Sequence, residues 1–324
     1  MDSHKTSNTN TLAHRLGVVG AFVLMIISNY LSTGTKVLNN TNNAIIAKQN
    51  PTTLSPDGLT FAIWGLIYLF ETFLVIYQLL PSTSDTPVLG GTTRLWIMAA
   101  FGFNAIWLPI FSYHRWFLSF AVICCYLFSL YKTSVAMQVN YGDRKIASHT
   151  QFFAMTGISL NMAWVVVATL LNFTIVSRNS NIITTVVVEG VKNTTAGAVA
   201  PYDFATIGGN VDWAILCIVV ASGIAIYRAF KFADLAYCFV TAWALGGIYR
   251  MQKFATDENF PIAGKSNDEA TWAITFSLLV GAAGAFAIGN IIYRACTTTS
   301  ITSNNKDPLR KSLSGSLETP SNLV

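Results

Sequence analysis

Eight apolar runs, each about the length of helix that crosses ~30 Å of hydrocarbon, recur along the chain. They cover residues 16–31, 58–80, 95–111, 116–137, 152–176, 212–230, 232–249 and 271–293. The sixth and seventh join so tightly that a count of seven or nine stays open. Such a pattern leaves little choice of fold. In lipid the backbone must satisfy its own polar groups, so each run reads as a helix and the chain as an all-α integral membrane protein. Composition agrees: of 324 residues, 52% are hydrophobic and 11% charged, where soluble domains carry about 25% charged.

The formal charge of +5 is scattered over loops and tail without a basic run. That reads as topology signal, so the bilayer is an expected partner and nucleic acid is not. With a cytoplasmic N-terminus, twelve of the twenty Lys and Arg fall on that side. Both termini are then cytoplasmic, and the sequons at Asn39 and Asn193 fall in non-cytoplasmic loops. The polar head, 1–15, contains Asp2 and little Arg, unlike a mitochondrial presequence, so an endomembrane or plasma membrane is expected over the mitochondrion. No small-residue cleavage pattern follows the first run, which is expected to stay as a span. A Thr-, Val-, Gly- and Asn-rich stretch, 179–210, divides a five-run front part, 16–178, from a three-run extension, 211–296. The polar tail, 297–324, is expected to be disordered.

Three runs carry more than lipid tolerates. In 94–111, helical spacing places Trp96, Ala100, Phe103, Trp107 and Phe111 on one side with Asn104 at its edge. Pro109 cannot donate to the carbonyl four residues back, so that oxygen is left for a neighbour, a water or a ligand. The second run carries a stripe of Trp64, Tyr68, Glu71 and Val75, and the fifth one of Asn161, Trp164, Ala168 and Asn172 with Leu171 beside it. Glu71 lies mid-span, where an ionisable group faces a cavity or a partner. Packing and interhelical hydrogen bonding explain each stripe singly, while the three together favour a pocket. In the extension, Gly281, Ala285 and Gly289 form a small-residue ridge expected to pack on the front bundle, and Asp212 and Asp234 sit at helix starts.

The motifs resemble those of the translocator protein and tryptophan-rich sensory protein (TspO/MBR) family, also called peripheral benzodiazepine receptor-like. Residues 61–68, FAIWGLIY, are similar to its F-x-P-x-W-x-x-L-Y; residues 104–111, NAIWLPIF, to its N-x-x-W-x-P-[LI]-F; and 163–172, AWVVVATLLN, to its A-W-x-x-[FY]-A-T-x-L-N. The resemblance covers about residues 14–178. It implies a five-helix bundle, here with about three further transmembrane helices, and a ligand cavity opening toward the loop after the first helix. It also implies binding of tetrapyrroles such as protoporphyrin or haem, with Ile63, Trp64, Asn104, Trp107, Ala168, Leu171 and Asn172 lining or bracing the cavity. Ala62 replaces the motif's Pro, and the sterol motif's Tyr is absent after Asn172, so cholesterol binding is not expected. Trp243-Ala244-Leu245-Gly246-Gly247 with Arg250 is similar to the extension of long relatives.

The leading expectation is a multi-pass protein that binds a planar hydrophobic ligand, with a sensing, sequestering or transport role. Its contacts would be the inherited residues with Tyr68, Glu71 and Trp164. No cofactor is required, and a homodimer is left open. The alternative is a proton-coupled secondary transporter using Glu71, though the halves show no repeat. An enzyme is disfavoured. All four His lie outside the spans, and no Lys lies in the last two to form a retinal Schiff base. The five Cys form no CxxC and read as packing thiols, with Cys296 beside Arg294 open to palmitoylation.

Overall fold

The computed structural model describes residues 3–50, 52–81, 87–90, 92–141, 150–179, 211–254 and 267–304. Nine α-helices are formed among them: α1 Ser3–Asn29, α2 Asn43–Gln49, α3 Ile63–Tyr77, α4 Thr93–Ser112, α5 Trp116–Tyr141, α6 Thr156–Asn179, α7 Val211–Phe232, α8 Leu235–Phe254 and α9 Asn267–Asn304. A π-helical turn, Tyr30–Gly34, extends α1, and a second, Gln151–Met155, leads into α6. No strand occurs among the described residues. Seven of the helical segments are long and apolar enough to cross a membrane. The chain is an all-helical, multi-pass integral membrane protein.

The seventh of the eight expected spans, formed by α8, has span length but lower hydropathy. Its burial accounts for this: Tyr237, Val240, Thr241, Ala244, Gly247 and Ile248 are covered, because α8 packs on α6, α7 and α9. A helix sheltered by protein needs fewer apolar side chains than one bathed in lipid. The front bundle is held by α4 against both α1 and α5, and by α6 against α5 and α3. Its core includes Met25, Ile67, Leu74, Ile97, Phe101 and Tyr126.

At the edges one element is added and two expectations change. The polar head is helical from Ser3 onward, continuous with the first span. At the other end α9 passes Cys296 and reaches Asn304, since a Thr/Ser run extends a helix already nucleated more readily than it starts one. The ridge of Gly281, Ala285 and Gly289 is exposed; α9 instead buries Ala273, Val280, Ala283 and Ala287 against α7 and α8. Gly281 and Ala283 differ by two residues, about 200° of helix rotation, so the two stripes face opposite ways. The Asn193 sequon and residues 180–210 and 305–324 lie outside the described residues.

The segment between α1 and α3 closes one end of the bundle. Asn42 Oδ1 accepts the Ile45 N–H at 3.0 Å and so starts α2. α2 places the fully buried Ile46 against Phe111 and Ile175. Further on, Leu54 enters the extension's core beside Ala214, Leu245 and Ile248. α8 holds this segment down. Arg250 pairs with Asp57, Nε to Oδ2 at 2.6 Å and Nη2 to Oδ1 at 3.0 Å. Trp243 Nε1 donates to the Thr60 carbonyl at 2.9 Å, Gln252 Nε2 to that of Thr53 at 2.8 Å, and the Asp57 N–H to that of Gly247 at 3.2 Å. The extension motif singled out in the sequence is therefore a latch on the covering segment. Gly247 is required by that close approach: a Cβ there would overlap the Thr60 side chain.

Two outcomes follow for the latch. Gly247→Ala displaces Thr60 and costs about 1–3 kcal/mol, the range for overpacking, read as a lowered thermal midpoint in detergent. Burial alone would raise the Asp57 pKa, but the bonds from Arg250 and Thr60 outweigh it and hold the carboxyl below its ordinary 3.8. A depressed carboxylate contributes stability that is present above that ordinary value and lost as pH falls through the folded one. Protection of 52–62 against hydrogen exchange, corrected for the intrinsic rate, is expected to be high at neutral pH and to fall as the pH drops below the ordinary carboxylate value, as for Arg250→Gln at neutral pH.

Candidate functional site

Pro109 sits inside α4, and the carbonyl it cannot reach, that of Ala105, accepts a hydrogen bond from Ser28 Oγ of α1 at 2.5 Å. The freed oxygen is thus taken by a neighbouring helix. This bond sets α1 beside α4, and the next residues along, Asn29 and Asn104, meet.

From that contact a chain of side-chain hydrogen bonds runs through all five long helices of the front bundle. Tyr68 Oη of α3 donates to Asn29 Oδ1 at 2.5 Å, and Asn29 Nδ2 donates to Asn104 Oδ1 at 2.7 Å. Asn104 Nδ2 donates to Tyr126 Oη of α5 at 2.9 Å, and Tyr126 Oη to Asn161 Oδ1 of α6 at 2.7 Å. Asn161 Nδ2 then donates to Glu71 Oε1, back on α3. Every link donates in the same sense, from Tyr68 to Glu71, and the two ends lie one helical turn apart. Glu71 is 0% exposed and its second oxygen, Oε2, has no hydrogen-bond partner among the described residues. Close packing supports this end: a Cβ on Gly157 would stand 2.9 Å from the Phe70 carbonyl carbon and 3.0 Å from the Glu71 nitrogen.

The aromatic residues fall into two groups. Trp64 stacks on Tyr68 with centroids 5.3 Å apart, and Trp164 meets Trp64 edge-on at 6.1 Å and Phe61 at 5.7 Å. Trp107 lies apart from these, beside Phe111 at 6.4 Å, and Phe111 packs with Ile46, Ile175 and Leu171 under α2. Asn172, next to Leu171, donates from Nδ2 to Ser119 Oγ at 3.1 Å. Three buried polar atoms of α2, α4 and α6 at this end have no hydrogen-bond partner among the described residues: the donors Trp107 Nε1 and Asn43 Nδ2 and the acceptor Asn172 Oδ1.

Of the ten residues named from sequence, Tyr68, Glu71 and Asn104 are joined in the hydrogen-bonded chain. Trp64 and Trp164 form the first aromatic group with Tyr68. Trp107, Leu171 and Asn172 lie at the covered end. Ile63 is in the core, with Ala168 half-buried against it. The three Trp do not make one stack. On α4, Asn104 is central to the buried face, while Trp96 and Phe103 lie at its half-exposed rim, because α1 and α5 pack on adjoining sides of the helix. Asn29 and Tyr126 join the hydrogen-bonded chain without belonging to any of the sequence stripes. Their signal was present, a polar group inside an apolar run.

The family model described as TSPO-like protein matches residues 15–200 and 184–284. The chain belongs to the TSPO-like protein family. The first match runs from within α1 through α6 and therefore contains the whole hydrogen-bonded chain, and the second reaches into α9. No match is found among curated proteins or among solved structures.

The chain predicts an ordering of stabilities. Tyr126→Phe leaves the amides of Asn104 and Asn161 each short of a partner at a fully buried position, a cost of about 1–3 kcal/mol. Tyr68→Phe removes only the half-buried end and costs about 0.6 kcal/mol, the mean for an interhelical bond in lipid. Unfolding by SDS titration in mixed micelles checks the order. Equal effects would mean that the five links do not act as one clamp.

Proposed function

We propose that the front bundle binds a planar hydrophobic ligand of the tetrapyrrole class at the end covered by α2, in a sensing, sequestering or transport role. The observation that carries this reading is that two of the buried atoms left without a partner among the described residues at that end are Trp107 Nε1 and Asn172 Oδ1. Each costs free energy while unpaired in a dry environment, and both belong to residues that the motif resemblance places at the ligand. A ligand that offers one acceptor and one donor on a flat apolar frame satisfies both. Phe111 and Leu171 supply apolar walls beside them, and Ile46 is the side chain that must move to admit it.

The test is titration of the detergent-purified protein with protoporphyrin IX, followed by Trp fluorescence, beside Trp107→Phe and Asn172→Leu. Saturable quenching at micromolar ligand that each variant weakens about tenfold, or ~1.4 kcal/mol, supports the reading. Quenching that is linear and indifferent to both variants overturns it.

A second reading, proton-coupled transport through Glu71, is favoured by the free Oε2 at full burial. The connections to that carboxyl argue against it. Three links of the chain are Asn carboxamides, which donate hydrogen bonds but do not pass protons as hydroxyls or carboxyls do. Proton uptake by vesicles that disappears in Glu71→Gln would favour transport. Glu71→Gln keeps an oxygen acceptor for Asn161, so it separates proton coupling from folding.

A further inference from the structure

At the end of α8 remote from the latch, a second polar cluster joins the extension to the front bundle. Asp234 and Arg250 are sixteen residues apart on the chain, about 24 Å along a helix. Ala233, in the left-handed region at φ 52°, turns the chain from α7 into α8. Arg228 before that turn pairs with Asp234 after it, Nη2 to Oδ2 at 2.5 Å, with both side chains buried.

Asp234 is well supplied with donors. Its Oδ2 also accepts from Arg228 Nε at 2.9 Å and Ser159 Oγ at 2.9 Å, and its Oδ1 accepts the Tyr237 N–H at 3.1 Å. Arg228 is not equally satisfied. Its Nε/Nη2 edge faces the carboxylate, and Nη2 also donates to Ser134 Oγ at 3.2 Å. Nη1, with two N–H groups, makes no hydrogen bond among the described residues, while the face of the guanidinium lies over the rings of Tyr237 at 4.9 Å and Phe232 at 5.4 Å. A buried ion pair is tolerated when its remaining N–H groups are hydrogen-bonded, so Nη1 is left as a donor for an outside acceptor.

Arg228 and Asp234 line a cavity of about 520 Å³ between the front bundle and the extension, within the range of small-molecule sites. Its wall has two characters. Ser134 and Gln138 adjoin the ion pair on the polar side, and Leu66, Phe70 and Phe239 form an apolar side. Phe239 is half exposed, so that side continues to the lipid-facing surface. The polar side is built from the last turns of α5 and α7, the ends of spans, where headgroups lie.

We propose that this seam binds an amphiphile with an oxyanion head and an acyl tail. The head accepts from Arg228 Nη1 and the Gln138 amide, and the tail lies against Leu66, Phe70 and Phe239. A cationic head is disfavoured because the Asp234 oxygens are already engaged by four donors. The same chemistry comes from two sources, an anionic phospholipid of the leaflet and a free long-chain carboxylate. The site lies at the far end of the bundle from α2, and it stands or falls separately from tetrapyrrole binding.

Native mass spectrometry of the delipidated full-length protein, titrated with phosphatidylglycerol, oleate or monoolein, tests the proposal. Monoolein keeps the oleoyl chain without the oxyanion. The expected result is one saturable equivalent of phosphatidylglycerol, oleate or both, with monoolein at least tenfold weaker. Phosphatidylglycerol alone identifies the leaflet as the source, and oleate alone a free acid. Arg228→Lys, which removes the Nη1 edge, is expected to weaken binding about tenfold. Because it also disturbs the ion pair, Ala236→Phe, which fills the cavity and leaves the pair intact, and Gln138→Leu are tested beside it, each with its melting curve. Monoolein binding as well as oleate, no saturable binding, or equal binding by folded Ala236→Phe overturns the proposal.

Discussion

Inside a bilayer no water is at hand to satisfy a buried polar group, so each must find its partner within the protein. The front bundle is arranged around that requirement. Pro109 frees one carbonyl, Ser28 takes it, and the contact brings Asn29 and Asn104 together. From there, amides and hydroxyls of α1, α4, α5 and α6 pass hydrogen bonds until the last one reaches Glu71. Lipid tails compete with Leu and Val for apolar contacts, so apolar packing alone sets helix order weakly. A closed chain of directional bonds permits far fewer arrangements.

The extension acts as a brace. Only α8 of its three helices makes extensive contact with α6, while α9 stands behind α8 and α7. α8 engages the front part at two ends, through Asp234 with Arg228, Ser134 and Ser159, and through Arg250 with Asp57. The second contact also holds down the segment that covers the bundle's end. Opening that end therefore requires motion of 42–62, and the bonds that resist it come from a part of the chain that the five-helix resemblance does not include.

The hydrogen-bonded chain and the covered end are different places with different chemistry. In the first, all but one of the polar atoms along the chain are paired, and the exception is a carboxyl oxygen. In the second, a Trp donor and an Asn acceptor remain unpaired beside Phe111 and Leu171. Glu71, Tyr68 and Asn104 thus tie the helices to one another, and Trp107 and Asn172 are among the residues with valence to spare.

Several features were readable from residue order. The apolar runs dictated the helices because a span is a local property, fixed by length and composition. The motifs around Trp64, Trp107 and Trp164 identified the family, and the missing Pro109 bond marked a free carbonyl, since both follow from covalent identity. Partner choice was not readable. The stripe on α4 was centred on its aromatics, yet α1 and α5 converge on Asn104. The ridge at Gly281 suits close packing, yet α9 turns its opposite side to α7 and α8. Asn29 and Tyr126 gained their roles only when five helices met at one depth. Sequence by itself determined which segments enter the membrane and which polar groups they carry. Only the tertiary structure decided which of those groups are paired and which remain open, because a hydrogen bond between spans depends on helix rotation and depth, and neither is encoded within a single span.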